Sequence, residues 1–225
     1  MSYWGTVWAI VRKDLQIERR TRQTVSLMLM FAVSIVVMFN FALEAKLDAV
    51  QNVATGLLWA AIMLAGTLGL NRSIDQENEN QAIDAILIAP VERSAIYVGK
   101  VISVYLFVLF MDAILILIFI VAFGKPLYRP PALLLILLRS FGYVAAGVLV
   151  TSITIQTRAR SVLLPVLLLP LILPLVLSAA SGVASFMVDT PPELAEVTSN
   201  FAIVAAYDLL MLTVGVLTYN YVVEG

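Results

Sequence analysis

The sequence contains no cysteine and no histidine. Without cysteine it can build neither a disulfide framework nor a thiolate metal site. Without histidine it lacks the commonest metal ligand and the side chain best suited to proton transfer near neutral pH. Charge is also scarce: Asp, Glu, Lys and Arg make up 13% of the 225 residues and nearly cancel, to a net −1. That balance offers no electrostatic footprint for nucleic acid. What fills the chain is apolar, with 61% hydrophobic residues and a mean hydropathy of +0.98. A water-soluble domain cannot hide that much apolar surface, so the class is an integral membrane protein.

A hydrocarbon core of about 30 Å needs about 20 apolar residues in a helix. Residues 23–43 and 49–71 are uncharged and long enough, and residues 101–124, 130–157 and 197–223 carry one charge each: Asp112, Arg139 and Asp208. Residues 161–188 are uncharged but interrupted by Pro165, Pro170 and Pro174. The expectation is an all-α protein with six transmembrane helices in a single permease domain, 1–225. Each proline removes a backbone donor, and residues 178–185 are small enough for close helix contact. A kinked fifth helix followed by a re-entrant outer segment, ending near residues 189–192, is therefore expected. The first apolar run follows a charged stretch and lacks a small-residue cleavage site, so it reads as a permanent span.

Lys and Arg set the direction of the spans. With the N-terminus in the cytoplasm, the inner segments carry Arg12, Lys13, Arg19, Arg20, Arg22, Arg72, Arg93, Lys100, Arg158 and Arg160. The outer loops carry only Lys46, Lys125 and Arg129. Ten against three puts both termini inside. Before the first span, Trp4, Val7, Trp8, Val11 and Leu15 recur at helical spacing on one face, with basic residues elsewhere. That pattern over residues 1–22 is an interfacial amphipathic helix on the lipid bilayer. Its expected anchors are Trp4, Trp8, Arg19 and Arg20, with Lys100 snorkelling at the same surface.

Between the second and third spans lies a polar stretch, ENENQAIDAILIAPVERSAIYVGK. Its Gly99-Lys100 ending resembles the tail of a phosphate loop, but Ser94 stands at the first glycine position and Val101 follows the lysine. Without that glycine and a hydroxyl for magnesium, ATP is not bound by this route. Within loop 72–100, Ala82, Ile83, Ile86 and Leu87 form one apolar stripe, stopped by Pro90. A short helix of this kind can dock on a partner or lie on the membrane.

Four stretches carry a resemblance: VRKDLQIERRTR; GLLWAAIMLAGTLGLNRSIDQENEN running into AILIAPVERSAIYVGK; LLPVLLLPLILP; and AAYDLLMLTVGVLTYNYVVE. Together they resemble the CcmB family, the membrane subunits of the haem-exporter ABC complex of bacterial cytochrome c maturation. The resemblance implies a multi-pass permease of the bacterial inner membrane, not an enzyme, with ATP and Mg bound in separate CcmA-like ATPase subunits. It also implies a CcmC-like haem-handling membrane protein, a small CcmD-like subunit and a possible second copy of this chain. In that superfamily the loop after the second helix is a cytoplasmic coupling helix, which assigns Glu77, Glu79, Leu87, Ala89, Pro90 and Arg93 to the ATPase interface. Haem is the implied cargo of the complex. With neither His nor Cys, only Met or Tyr of this chain could ligate its iron, and Met in apolar helices is usually core filler. No cofactor is therefore expected in this chain.

Asp112, Arg139 and Asp208 fall at similar depth from the outer ends of their spans. A charge at the bilayer centre costs at least about 2.5–3.5 kcal/mol, so it should face the protein interior with a partner. Arg139 between the two aspartates is the neutralising arrangement, either as a structural ion pair or as part of a gate. Other readings stay open from the residues alone: an exporter permease for a different amphipathic substrate, or an ion-coupled secondary transporter. The topology is directly testable because the chain has no native cysteine. Single cysteines at Asp48, Tyr128 and Thr190 are expected to react with an impermeant thiol reagent from outside the cell. One at Asn78 is expected to stay unlabelled, and its labelling in intact cells would reverse the orientation.

Overall fold

The computed structural model describes residues 2–43, 47–79, 91–154, 160–188, 190 and 192–224. Among these residues the regular structure is entirely helical. It comprises α1 (Tyr3–Thr21), α2 (Gln23–Leu43), α3 (Leu47–Glu79), α4 (Arg93–Phe123), α5 (Pro130–Thr154), α6 (Arg160–Phe186), a 3-10 turn (Leu194–Val197) and α7 (Thr198–Glu224). Among the described residues, five segments are long and apolar enough to cross a membrane: Gln23–Ala42, Arg93–Phe123, Pro130–Thr154, Val162–Phe186 and Leu194–Tyr221. The remaining expected run, 49–71, lies inside α3, which continues to Glu79. The docking stripe with Leu87, Ala89 and Pro90 lies outside the described residues.

The bundle is arranged around α5. Of its apolar window 72% is buried, against 17–39% for the other four, and it packs on α3, α4, α6 and α7. Lipid tails are as apolar as leucine, so helices in a bilayer gain little by hiding apolar surface from one another. Close approach and polar contacts must hold them instead. Ala145, Ala146 and Gly147 on α5 supply the close approach, Gly147 receiving the side chain of Leu70 from α3. Tyr97 of α4 supplies a polar contact, its hydroxyl donating to the Ala145 carbonyl at 2.9 Å.

One expectation about α6 is corrected. Pro165, Pro170 and Pro174 lie inside the single helix, but the small-residue stretch 178–185 does not fold back as a re-entrant segment and stays helical to Phe186. The small side chains serve a helix contact instead. Asn200 of α7 donates its amide to the Ser178 carbonyl at 2.7 Å and to the Ser181 hydroxyl at 2.5 Å. The C-terminal end of α6 is closed by Arg129, which donates to the carbonyls of Phe186 and Val188 at 2.7 and 2.6 Å. A cation there also suits the negative end of the helix dipole.

The amphipathic α1 carries two apolar faces. Ser2 caps its start, accepting from the Gly5 amide at 3.3 Å. Val7, Ile10 and Val11 are buried, with Val7 and Val11 against Ala95, Val98 and Ile102 of α4. Trp4 and Trp8, each 64% exposed, and Leu15 face outward. Lys100 does not snorkel: it is buried and pairs with Asp14 of α1 at 3.4 Å. The sequence placed it at a helix start, but α4 begins at Arg93 and runs through Gly99-Lys100 beneath α1.

Between α1 and α2 stands the single residue Arg22, in the left-handed conformation at φ 52°. The corner is fixed by Glu18, whose carboxylate accepts from the amides of Thr24 and Val25 at 3.2 and 2.8 Å. Those are two of the donors that a helix start leaves without an internal partner, and a carboxylate there also meets the positive end of the dipole. Loss of such a cap costs about 0.5–2 kcal/mol. Glu18→Ala is therefore expected to lower the thermal midpoint and to speed amide exchange at Thr24 and Val25 several-fold, while Glu18→Gln, which keeps one acceptor oxygen, recovers the protection of only one of the two amides. Unchanged exchange at those two amides in Glu18→Ala would show that the cap does not hold the corner.

Candidate functional site

About one turn of α5 directs polar chemistry at three neighbouring helices. Arg139 is fully buried, and its guanidinium carbon lies 4.6 Å from the ring centroid of Trp59 on α3 and 5.1 Å from that of Tyr143 on its own helix. Tyr143 stands four residues along α5, hence on the same face. Its hydroxyl donates to the Met63 carbonyl at 3.0 Å and lies 2.9 Å from the Thr67 hydroxyl. Its ring occupies the space above Gly66, where any Cβ would collide with it. Arg139 and Tyr143 thus tie α5 to α3.

On either side of that face stand the two carboxylates. Ser140, next to Arg139, donates to Asp112 of α4 at 2.6 Å. Gly142 leaves the gap that the Asp208 carboxylate of α7 fills, and a Cβ there would run into it. Asp112 and Asp208 are both buried. At 1.5 Å per residue, all three charges lie roughly 14–17 Å from the C-terminal end of α4 and the N-terminal ends of α5 and α7, which is one layer near the middle of a span.

The expected ion pair is not formed. Among the described residues no ion pair joins Arg139 to either aspartate, and its three side-chain nitrogens make no hydrogen bond. The cation rests on aromatic faces instead. A desolvated contact of that kind contributes about 2 kcal/mol or more, and guanidinium, planar and weakly hydrated, suits it better than ammonium. Asp112 keeps one unbonded oxygen, and neither oxygen of Asp208 is hydrogen-bonded. The layer therefore holds one permanent cation flanked by carboxylates with acceptor capacity to spare.

The other residues singled out from sequence are not part of this layer. Trp4, Trp8, Arg19 and Arg20 are exposed on α1, and Arg93 opens α4. Glu77 and Glu79 end α3, their side chains outside the described residues. Sequence reasoning missed Trp59, Ser140 and Tyr143, and also Asp14 and Glu18. Tyr143 was within reach, since helical spacing from Arg139 puts it on the same face. Nothing in the sequence links Trp59 to residue 139, or Asp14 to Lys100.

Comparison with known proteins follows the whole bundle. The chain matches the family described as CcmB protein over residues 5–224. It is also similar to heme exporter protein B of Escherichia coli strain K12 and of Shigella flexneri, in each case 23% identical over 96 residues. Those residues are 43% of this chain and 44% of each relative. The chain thus spans less than half the length of the curated relatives it matches.

Removing the cation leaves two buried carboxylates with no cation in their layer, and uncompensated buried charge is costly. Arg139→Leu is expected to lower the thermal midpoint of the detergent-solubilised protein markedly. Adding Asp112→Leu or Asp208→Leu should partly restore it, the better rescuer being the carboxylate that Arg139 chiefly neutralises. Arg139→Lys, which keeps the charge but loses the planar stack, is expected to cost about 1–2 kcal/mol. A midpoint unmoved by Arg139→Leu would mean that the charge layer does not stabilise the bundle.

Proposed function

The chain belongs to the CcmB family, and on that premise we propose that it is the membrane subunit of an ATP-driven haem-export complex in bacterial cytochrome c maturation. The observation that supports the coupling role is the length of α3. Its 33 residues rise about 50 Å against a hydrocarbon core of about 30 Å. Its polar end therefore stands clear of the bilayer before α4 resumes at Arg93. Loop 72–100 is then a handle outside the membrane, joined stiffly to two spans. Glu77, Glu79, Leu87, Ala89, Pro90 and Arg93 are the residues we assign to the ATPase interface, with ATP and Mg held by CcmA-like partner subunits.

In this reading α3 is the second of six crossings and both termini are cytoplasmic, in keeping with the ten-to-three bias of basic residues. The exposed Trp4 and Trp8, with Arg19 and Arg20 on the same helix, rest α1 on the inner lipid surface. Haem enters through the relatives, which are named heme exporter protein B. A chain with neither His nor Cys leaves iron ligation to a CcmC-like partner. Its own part is mechanical: ATP-driven closure pulls the handle, and the charge layer on α5 keeps α3, α4 and α7 moving with it. A CcmD-like subunit and a second copy of this chain complete the complex.

The test is made in the assembled complex. Leu87→Asp with Arg93→Asp is expected to release the ATPase subunit while this chain remains in the membrane, and cytochrome c maturation is expected to stop. Co-purification of the ATPase with unchanged turnover would place the contact elsewhere and overturn the assignment.

A further inference from the structure

The inner ends of α4, α1 and α2 are joined by two electrostatic contacts in series, and the joint begins at the coupling loop. The helix that follows the loop, α4, starts at Arg93, and within its first three turns it lies under α1. The fit is close: a Cβ on Gly99 would stand 3.0 Å from Ile10 Cβ and 3.2 Å from the Val7 carbonyl oxygen. At the next residue the buried Lys100 Nζ donates to the buried Asp14 carboxylate at 3.4 Å, and Lys13 holds the other oxygen of that carboxylate at 3.2 Å. Four residues further along α1, on the same face, Glu18 caps α2 through the amides of Thr24 and Val25. Only Arg22 separates α1 from α2.

We propose that α1 is a relay: Lys100 and Asp14 transmit displacement of the inner end of α4 to α1, and Glu18 passes it to the start of α2. The proposal rests on the coupling reading above and adds a route, beside the direct packing of α2 on α3 and α4, by which motion at the loop reaches a span that does not adjoin it in sequence. Three features suit α1 to the task. It is stiff, with 19 residues in continuous helix. Its contact with α4 is a buried charge pair with close packing, which resists sliding, since a separated buried charge is costly. Its contact with α2 is a cap on backbone amides, so α1 cannot turn without carrying the helix start or losing two hydrogen bonds. Lys100, Asp14 and Glu18 are positioning residues in this scheme: they touch no cargo and no nucleotide.

The absence of native cysteine makes the relay measurable with paired spin labels in the assembled complex, with and without trapped ATP. One pair, Glu92→Cys with Val162→Cys, reports α4 against the inner end of α6. The other, Gln16→Cys with Val162→Cys, reports α1 against the same point; Glu92, Gln16 and Val162 are all exposed. Both distances are expected to shift on trapping ATP. In Lys100→Met the α4 shift should persist and the α1 shift should be lost, with the ATPase still bound, and Lys100→Arg should restore it. Should Lys100→Met fail to assemble, Asp14→Asn is expected to give the same selective loss. An α1 shift that survives Lys100→Met or Asp14→Asn, or that is absent from the wild type while α4 moves, overturns the relay. An α4 pair that does not respond to ATP overturns the coupling reading, and the relay with it.

Discussion

In hydrocarbon an unanswered polar group is expensive, and apolar surface gains almost nothing from meeting more apolar surface. The rest of this structure follows from that constraint. A bundle held only by its apolar side chains would be free to slide, so cohesion has to come from close backbone approach and from polar groups that find one another. Helix α5 provides both, through Ala145, Ala146 and Gly147 and through Arg139, Ser140 and Tyr143. Its neighbours are shaped to receive these groups: Gly66 under Tyr143, and Trp59 against the Arg139 guanidinium.

The same constraint explains why the molecule treats charge differently at two levels. Near the start of α4, Lys100 and Asp14 meet directly. In the middle of the bundle Arg139 is spread over two rings, while the aspartates take a hydroxyl and a glycine-lined gap. A direct pair is a strong, short-ranged lock between two helices. A cation on aromatic faces with carboxylates to either side is a softer arrangement that draws in four helices at once, α3, α4, α5 and α7. The centre of the bundle uses the second kind of contact, and the meeting of α1 with α4 uses the first.

What could be read from the sequence was what depends on length and periodicity. The helix bounds of α2, α5 and α7 fall close to the apolar runs, because a run long enough to span has little else to do. The charge layer was also foreseeable in depth, since position along a helix is a matter of counting. Contacts were not. Helical spacing put Val7, Val11, Trp4 and Trp8 on a single stripe, whereas packing against α4 divides that stripe into a protein face and an outer face. The small residues of α6 signalled a re-entrant turn, but α7 packs against that stretch and the helix continues through it. Lys100 read as a surface anchor because nothing local announces that α1 will lie above it. Local rules describe a helix alone, and these departures all come from a second helix laid on the first.

The Asp14–Lys100 contact joins residues 86 positions apart, and this sets a timetable for biosynthesis. At a translation rate of roughly 5–20 residues per second, α1 exists for about 4–17 s before its partner on α4 has been made. For that interval Asp14 has only its neighbour Lys13, and the Val7–Val11 face lacks the α4 residues it later packs against. The outward face with Trp4 and Trp8 takes no part in that later contact. One helix thus carries two apolar faces, and only one of them has to wait for the rest of the chain.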